Sequence, residues 1–246
     1  MTEFVVHADD FGYSTEVNCC IDNCIQKGWV SETSLMVNMP ACSEAVRIAV
    51  QNGYLDKVGI HVNLTEGVPL TDPIKELPAF CDSSGHFNKR FHLSTWKRLF
   101  LSKRERCALK VELSAQFEKF LSYGNVMRKI DSHHHVHTNW AIYQVILPLA
   151  RKYGFTSMRI SADMHEVRVA KKIYKIWFNA RIRKVFATTD HFDGIVDGLL
   201  KATNATVEVM VHPLIWNGEL CDSKKDFISN IERVIAVDNS RIRSIR

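Results

Sequence analysis

The sequence lacks the features of a secreted, cross-linked or membrane-spanning protein. Its seven cysteines are irregularly spaced and form no CxxC pair, which excludes a disulfide framework and a thiolate zinc site. We expect them to be buried thiols of a reducing compartment. The chain has no apolar signal core and no apolar run long enough to cross a bilayer. These absences predict a cytoplasmic protein with no membrane span.

Linkers and nucleic-acid signatures are also missing. No stretch rich in proline, glycine or serine divides the 246 residues, so one domain spanning 1–246 is predicted. The net charge of +5 comes largely from residues 97–106, 168–184 and 241–246, which are typical of solvated helix faces. No stripe of interleaved basic and aromatic residues points to single-stranded nucleic acid. We therefore predict no nucleic-acid partner, although a mildly basic rim suits an anionic substrate.

A repeating strand–loop–helix rhythm is present instead. The predicted strands are 3–7, 33–37, 58–62, 128–132, 157–160, 184–187 and 206–211. The predicted helices are 15–27, 43–51, 102–121, 141–153 and 168–183, with a long loop at about 65–95. This alternation indicates parallel strands joined by right-handed crossovers. About seven such units favour a closed or nearly closed α/β barrel, TIM-barrel-like, with outer helices.

Polar residues follow three of these strands. They stand in VHADDFG (6–12), GIHVN (59–63) and DSHHHVH (131–137). The carboxyl ends of the strands converge on one face of an α/β sheet or barrel. One carboxylate and two imidazoles suit Zn²⁺, Co²⁺, Mg²⁺ or Mn²⁺ and leave coordination positions open. We predict Asp10, His61 and His133 as metal ligands; the alternative is a surface histidine cluster beside an unrelated acidic turn.

Two further residues are candidates for proton transfer. Successive side chains diverge on an extended segment, so Asp9 is expected to have a different role from Asp10. A carboxylate beside a cation stays ionised and can act as a general base; alternatively, the acidic pair caps the turn before the first helix. His212, which ends the last strand before Pro213, is predicted to be a general acid, unless it is a structural histidine.

The other histidines of the 131–137 segment are assigned by strand alternation. In an extended chain His133, His135 and His137 share one side, and His134 lies on the other. His135 and His137 are therefore predicted to support the metal ligands or face the substrate. His134 is expected to pack behind the site.

Three more residues lie near the predicted site. Arg159, close to a strand end, is expected to pair with Asp9 and tune its pKa, or else to form an ion pair elsewhere. Trp216 and Trp140 each follow a site segment and offer flat faces for stacking on a sugar, although packing in the core or at a rim is the usual role of tryptophan.

Taken together, ADDFG, GIHVNLTEG, DSHHHVH and EVMVHP, in this order and up to about residue 216, resemble the YdjC-like carbohydrate deacetylases, which include chitooligosaccharide deacetylase. The resemblance implies a deformed (β/α) barrel, a divalent metal and hydrolysis of the N-acetyl group of an amino sugar or short oligosaccharide. It implies Asp10, His61 and His133 as metal ligands and Asp9 as base. Similarity to the wider polysaccharide deacetylases implies His212 as acid.

Parts of the chain depart from the family pattern. Residues 217–246 are short, polar and basic, which leaves the substrate rim and any homodimer contact open. The basic stretch 161–183 suggests an acceptor other than neutral chitooligosaccharides. A non-catalytic sugar- or metal-binding protein and a hydrolase of another acyl or amide substrate remain alternatives. An iron oxygenase also uses two histidines and one carboxylate, but normally on an all-β scaffold unlike this βα rhythm.

Overall fold

The computed structural model describes residues 2–124, 127–162, 169–194, 204–216 and 219–222. In this part of the chain seven parallel strands form one sheet in the order β5-β4-β3-β2-β1-β7-β6. They are β1 (Glu3–Phe11), β2 (Glu32–Leu35), β3 (Val58–Val62), β4 (Lys129–Ser132), β5 (Ser157–Met158), β6 (His191–Asp193) and β7 (Thr206–Val211). Two further strands, β8 (Pro213–Trp216) and β9 (Glu219–Asp222), form an antiparallel hairpin.

Helices surround this sheet. They are α1 (Thr15–Gln26), α2 (Cys42–Gln51), α3 (Asp72–Lys75), α4 (Arg90–Leu93), α5 (Thr95–Leu99), α6 (Lys103–Leu121), α7 (Trp140–Lys152) and α8 (Val169–Arg183). Local signals set several boundaries. The Ser14 hydroxyl accepts a hydrogen bond from the Val17 N–H at the start of α1, and Ser102 and Glu105 form a capping box on α6.

The sheet curls into a half-barrel, as the predicted deformed (β/α) barrel requires. Its edge strands are β5 and β6. Ala187 pairs with Ser157 of β5, and the chain then runs into β6, which pairs with β7. Residues 187–193 therefore link the two edges of the sheet, and the predicted fold class is confirmed.

The strand predicted at 184–187 is wrong in position. The N–H groups of Val185 and Phe186 both donate to the Ile182 carbonyl, so they extend the end of α8. Only Ala187 of this segment pairs with a strand, and β6 begins at His191. The backbone N–H groups of Val185 and Phe186, which a strand at 184–187 would use for pairing, are instead bonded to the end of the helix.

The two faces of the sheet bury different kinds of side chain, apolar on one face and ionisable on the other. Alternate residues of β1, such as Val6 and Ala8, belong to the apolar core between the sheet and the helices. The intervening His7 and Asp9 point into the barrel, where they meet other buried ionisable side chains. Barrel interiors are usually filled by branched aliphatic residues, so a charged interior points to a role beyond packing.

Two predictions about chain environment can be compared with the structure. Within the described ranges, none of the helices is both long and apolar enough to span a bilayer. All seven cysteines are free thiols, but Cys19 and Cys107 are exposed and Cys221 is partly exposed. Burial was therefore the wrong expectation for these three; Cys19 and Cys107 lie on the solvent faces of α1 and α6.

Candidate active site

The three predicted metal ligands come together at the carboxyl end of the sheet. Asp10 Oδ1 lies 2.7 Å from His133 Nδ1 and 3.2 Å from His61 Nε2. One donor atom from each residue lies within 4.8 Å of the other two. We call Asp10, His61 and His133 the ligand triad. These three residues are far apart in the sequence, but they meet because β1, β3 and β4 run parallel within one sheet.

An irregularity in β1 directs two consecutive carboxylates, those of Asp9 and Asp10, into the same cavity. The pairing of β1 with β2 shifts register between Ala8 and Phe11, and Asp10 has a φ of 70°. Left-handed backbone is costly for a residue other than glycine and is concentrated at functional sites. A bulge re-aims side chains that would alternate in a regular strand, so Asp9 and Asp10 both line one cavity.

The predicted alternation of the histidine segment is wrong. After Ser132 the chain forms a 3-10 turn over His133–Thr138, with φ of 51° at His134 and 53° at His135. The last pair in the ladder between β3 and β4 joins Val62 to Ser132, so the following residues have no strand partner to hold them extended. His134 consequently stacks close to His133, with ring centroids 4.1 Å apart, and lines the cavity instead of packing behind it.

His137 and His135 take different places in this turn. The backbone N–H of His137 donates to Ser132 Oγ over 2.9 Å, and its Nε2 lies 3.1 Å from the Arg159 carbonyl. His137 is fully buried and is not part of the cavity wall, so it supports the site from behind and does not face a substrate. His135 lines the cavity, and burial followed by the charge of Arg159 lowers its pKa to about 3.

Two imidazole nitrogens of the ligand triad lack hydrogen bonds. In the described part of the protein, His61 Nε2 and His133 Nε2 are buried without a hydrogen-bond partner of acceptable geometry. His61 is oriented from behind, because its Nδ1 lies 2.9 Å from Asp131 Oδ1, and Asp131 is its neighbour in the strand register. Burial opposes charging of His61, but the Asp131 carboxylate and Asp10 raise its pKa to about 10.

Asp9 is held by a buried guanidinium. Arg159 donates from Nη1 to Asp9 Oδ2 over 2.8 Å and from Nη2 to Asp9 Oδ1 over 2.7 Å. Burial alone would raise the pKa of Asp9, but the charges of Arg159 and His61 lower it to about 2. Arg159 in turn donates from Nε to Glu208 over 2.6 Å. Paired charge-assisted bonds of this kind fix the carboxylate plane.

His212 also lies near Asp9. Its Nε2 is 4.0 Å from Asp9 Oδ2, and it is about one quarter exposed. Trp216 ends β8, and its side chain lies outside what the structure describes. Trp140 stacks on Trp177 in a separate outer groove. The prediction that Trp140 faces a sugar at this site is therefore wrong, because the first turn of α7 points it away.

The ligand triad, Asp9 and His212 line a cavity of about 580 Å³. Its wall contains Asp9, Asp10, Tyr13, Val17, His61, Glu66, His92, His133, His134, His135, Met210, His212, Pro213 and Leu214. Most of these residues are polar or ionisable, and Val17, Met210 and Leu214 contribute apolar surface. A cavity of this size with a few convergent polar groups is the usual form of a small-molecule site.

Glu66 at the rim of the cavity was missed from the sequence. Its Oε1 lies 3.6 Å from His133 Nε2 and 2.9 Å from Lys89 Nζ, and Tyr13 donates to its Oε2 over 3.0 Å. Asn63 shapes this loop by accepting the Glu66 N–H over 3.2 Å. A signal was present, since Glu66 stands within GIHVNLTEG, five residues after His61.

A buried ion network beneath the ligand triad was also missed. His7 Nδ1 lies 2.8 Å from Glu32 and its Nε2 lies 2.9 Å from Asp131. Lys129 contacts Glu32 and lies 3.2 Å from Glu208. Burial would raise the pKa of Glu32, but the Lys129 charge and the His7 hydrogen bond lower it to about 2. The available signal was the appearance of charged residues at alternate positions of otherwise apolar strands.

Comparison with known proteins gives both a family and a fold. The family model described as YdjC-like protein matches residues 3–239. A carbohydrate deacetylase of Clostridium beijerinckii is 37% identical over 97% of this chain and 92% of the relative. A carbohydrate deacetylase of Geobacillus stearothermophilus is 34% identical over 85% of this chain and 78% of the relative.

A solved structure from Enterococcus faecalis, described as a candidate cellobiose-phosphate cleavage protein, is similar in fold. Its TM-score is 0.71 at 23% identity, covering 100% of this chain and 97% of that one.

Proposed function

This chain belongs to the YdjC-like protein family, and on that premise we propose that it is a carbohydrate deacetylase. It hydrolyses the N-acetyl group of an amino sugar or short oligosaccharide, releasing acetate and a free amine. The observation that carries this proposal is the meeting of the ligand triad, Asp9 and His212 in one cavity. A carboxylate base, an imidazole acid and a cation site are the groups that amide hydrolysis requires.

The donor set fits a divalent cation such as Zn²⁺, Mg²⁺, Co²⁺ or Mn²⁺. His61 Nε2 and His133 Nε2 are buried without hydrogen bonds within the described ranges, and Asp10 Oδ1 lies 3.2 Å from His61 Nε2 and 2.7 Å from His133 Nδ1. When bound, the cation polarises the substrate carbonyl and lowers the pKa of water. Asp131 holds the ring of His61 in the ligating orientation, as outer carboxylates commonly do around metal-bound histidines.

Asp9 accepts a proton from the attacking water. The pairing with Arg159 keeps Asp9 ionised at neutral pH and locks both of its oxygens in place. A carboxylate with so low a pKa is a weak base by itself. Its role as the base therefore depends on its fixed position and on the increased acidity of the water at the neighbouring cation site.

His212 donates a proton to the departing amine. It shares the cavity wall with Asp9, and the two groups lie 4.0 Å apart. Imidazole changes charge near neutral pH, so it can give up a proton and regain one in each cycle. The apolar surface that Val17, Met210 and Leu214 contribute is available to the acetyl methyl group and the sugar face.

Acetate release tests this proposal. Protein stripped of metal and resupplied with Zn²⁺, Co²⁺, Mn²⁺ or Mg²⁺ is assayed with N-acetylglucosamine, its disaccharide and trisaccharide, and a nucleotide-linked acetamido sugar. We expect release restored by metal and lost in Asp9→Asn, while stoichiometric metal binding persists. Asp72→Asn, an exposed carboxylate on α3, is the matched control. Metal binding without release from any sugar would favour a binding protein or a hydrolase of another amide or acyl substrate.

A further inference from the structure

Helix α8 exposes the apolar residues that an amphipathic helix normally buries. Its buried residues are Phe178 and Ile182. On the opposite face, Val169 is 74% exposed and Ile173 is 62% exposed, and Ile176 and Trp177 continue the stripe. The spacing i, i+4, i+7 and i+8 places these four side chains on one face. Lone exposed apolar residues are common, but a contiguous stripe marks an interaction surface.

Helices α4 and α5 present a second apolar group beside α8. Leu93 is 77% exposed and Trp96 is 67% exposed, and Trp96 stacks on Phe100 with ring centroids 4.6 Å apart. Helices α5 and α8 are adjacent, because Leu99 of α5 and Tyr174 of α8 line one crevice. We call the exposed apolar residues of α4, α5 and α8, together with Phe100, the outer patch.

The segments that form the outer patch contain basic residues and no acidic ones, although Lys97 pairs with Glu105 of α6. Residues 90–99 and 169–183 contain eight lysines and arginines and no aspartate or glutamate, although the whole chain has a net charge of +5. Lys172 and Arg183 flank the stripe on α8, and Arg181 lies over the ring of Trp177 at 5.0 Å. Two copies of the chain pairing through this patch would bring like charges together. Charge complementarity therefore favours an anionic occupant over a second copy.

We propose that the outer patch seats the protein on an anionic membrane surface. Aliphatic residues and tryptophan flanked by lysine and arginine are the signature of helices that lie in the bilayer interface. Five of the exposed apolar residues are aliphatic (Leu93, Leu99, Val169, Ile173 and Ile176), which suits lipid chains better than nucleic-acid bases, since bases stack on aromatic rings.

Docking through this patch would bring the candidate active site close to the lipid surface. His92 of α4 lines the site cavity and also a second cavity of about 270 Å³ that contains Arg98, Lys171 and Lys175. That second cavity shares His134 and His135 with the site cavity, and it shares Arg98, Lys171 and Tyr174 with the crevice between α5 and α8. A sugar carried on a lipid could then reach the site without leaving the membrane surface. The docking proposal does not depend on deacetylation, because it concerns a different surface.

Vesicle co-sedimentation of the full chain tests the proposal. We expect binding to phosphatidylcholine vesicles with about one third phosphatidylglycerol, weaker binding at higher salt, and little binding to phosphatidylcholine alone. The double variant Lys172→Gln/Arg183→Gln should lower the partition coefficient roughly 25-fold, at about fivefold per cation. Trp96→Ser/Ile173→Ser should lower it at least about tenfold.

Matched controls come from other helices. Val111→Ser and Lys110→Gln alter exposed residues of α6 outside the patch and should leave partitioning unchanged. All variants should retain the parent melting temperature and the parent rate on a water-soluble acetamido sugar. The proposal is overturned by absence of binding to anionic vesicles, by equal losses in the controls, by a dimer that the patch variants dissociate, or by preferential binding of a single-stranded oligonucleotide.

Discussion

Two layers of ionisable side chains occupy the inside of the same sheet, and their environments differ. The ligand triad at the strand ends lies on a cavity, and among the residues that the structure describes two of its imidazole nitrogens find no hydrogen-bond partner. The layer beneath, formed by His7, Glu32, Lys129 and Glu208, is closed to solvent. Each layer contains histidine and carboxylate groups close enough to share an ion.

The lower layer already contains its cations. Lys129 sits between Glu32 and Glu208, and Arg159 binds Glu208 from the other side. A divalent ion there would have to displace a buried ammonium group, whereas no lysine or arginine side chain intervenes between the members of the triad in the described residues. Residue type therefore does not define a metal site by itself, and neighbouring charges decide where an ion fits.

The largest expected effect comes from removing a triad ligand. His61→Ala should abolish stoichiometric metal binding and lower acetate release by roughly 1000-fold, since the cation supplies several kcal/mol of transition-state stabilisation. Calorimetric titration with Zn²⁺ and the acetate assay measure the two effects. The buried His137→Ala serves as a comparison, because His137 lies outside the cavity. Unchanged metal binding in His61→Ala would contradict the assignment.

Breaking the lower layer should instead affect stability. Lys129→Met leaves Glu32 and Glu208 without their shared cation, and loss of one partner from a buried ion pair typically costs about 3–5 kcal/mol. Urea denaturation should show this loss, while the folded fraction still binds one metal ion per chain. Lys75→Met, which removes an exposed pair with Asp72, should cost less than about 1 kcal/mol. Equal costs would show that the lower layer is not structurally important.

Acid should lower the free energy of unfolding through Asp9 and through Glu32 of the lower layer. The pKa values of Asp9 and Glu32 are each lowered to about 2, so the unfolded chain takes up protons at a higher pH than the folded one. This stability is present above the unfolded pKa values, near 4, and is lost as pH falls to about 2, at a cost of roughly 2–3 kcal/mol per group. Urea midpoints of metal-free protein between about pH 6 and 2 measure the loss. A constant midpoint would contradict the ion pairing.

Asp131 connects the layers and should give an intermediate result. It holds His61 above, and its other oxygen lies 2.9 Å from His7 Nε2 and 3.0 Å from Arg159 Nη2. Asp131→Asn should weaken metal affinity roughly 10- to 100-fold, the usual effect of an outer-sphere change. Competition with a chelator measures this affinity. Ser161→Ala, at the edge of the neighbouring cavity, should leave the affinity unchanged, and an unaltered affinity in Asp131→Asn would remove its proposed role.

The smallest effect is expected at the rim. Tyr13→Phe removes the hydroxyl that donates to Glu66, and a half-exposed hydrogen bond contributes about 1 kcal/mol. We expect a severalfold rise in KM with kcat nearly unchanged. A fall in kcat of more than about 100-fold would instead place Tyr13 among the groups that contact the reacting atoms.

Much of the fold and part of the candidate site could be predicted from the sequence alone. The strand at 206–211 coincides with β7, and α2 differs from its prediction by one residue. The meeting of Asp10, His61 and His133 could be predicted because each lies within one residue of the end of a strand. The turn at 133–138 was not, since alternation applies only while a strand partner continues, and β3 ends at Val62.

The sequence by itself determined the period of strands and helices, the polar residues that end each strand and the family motifs. These features depend on the local spacing of residue types, which the sequence gives directly. Only the tertiary structure decided that Asp131 lies behind His61, that Arg159 clamps Asp9 and that Lys129 occupies the lower layer. Such contacts join residues up to 150 positions apart, and their partners are set by parallel register and barrel curvature, which no local pattern records.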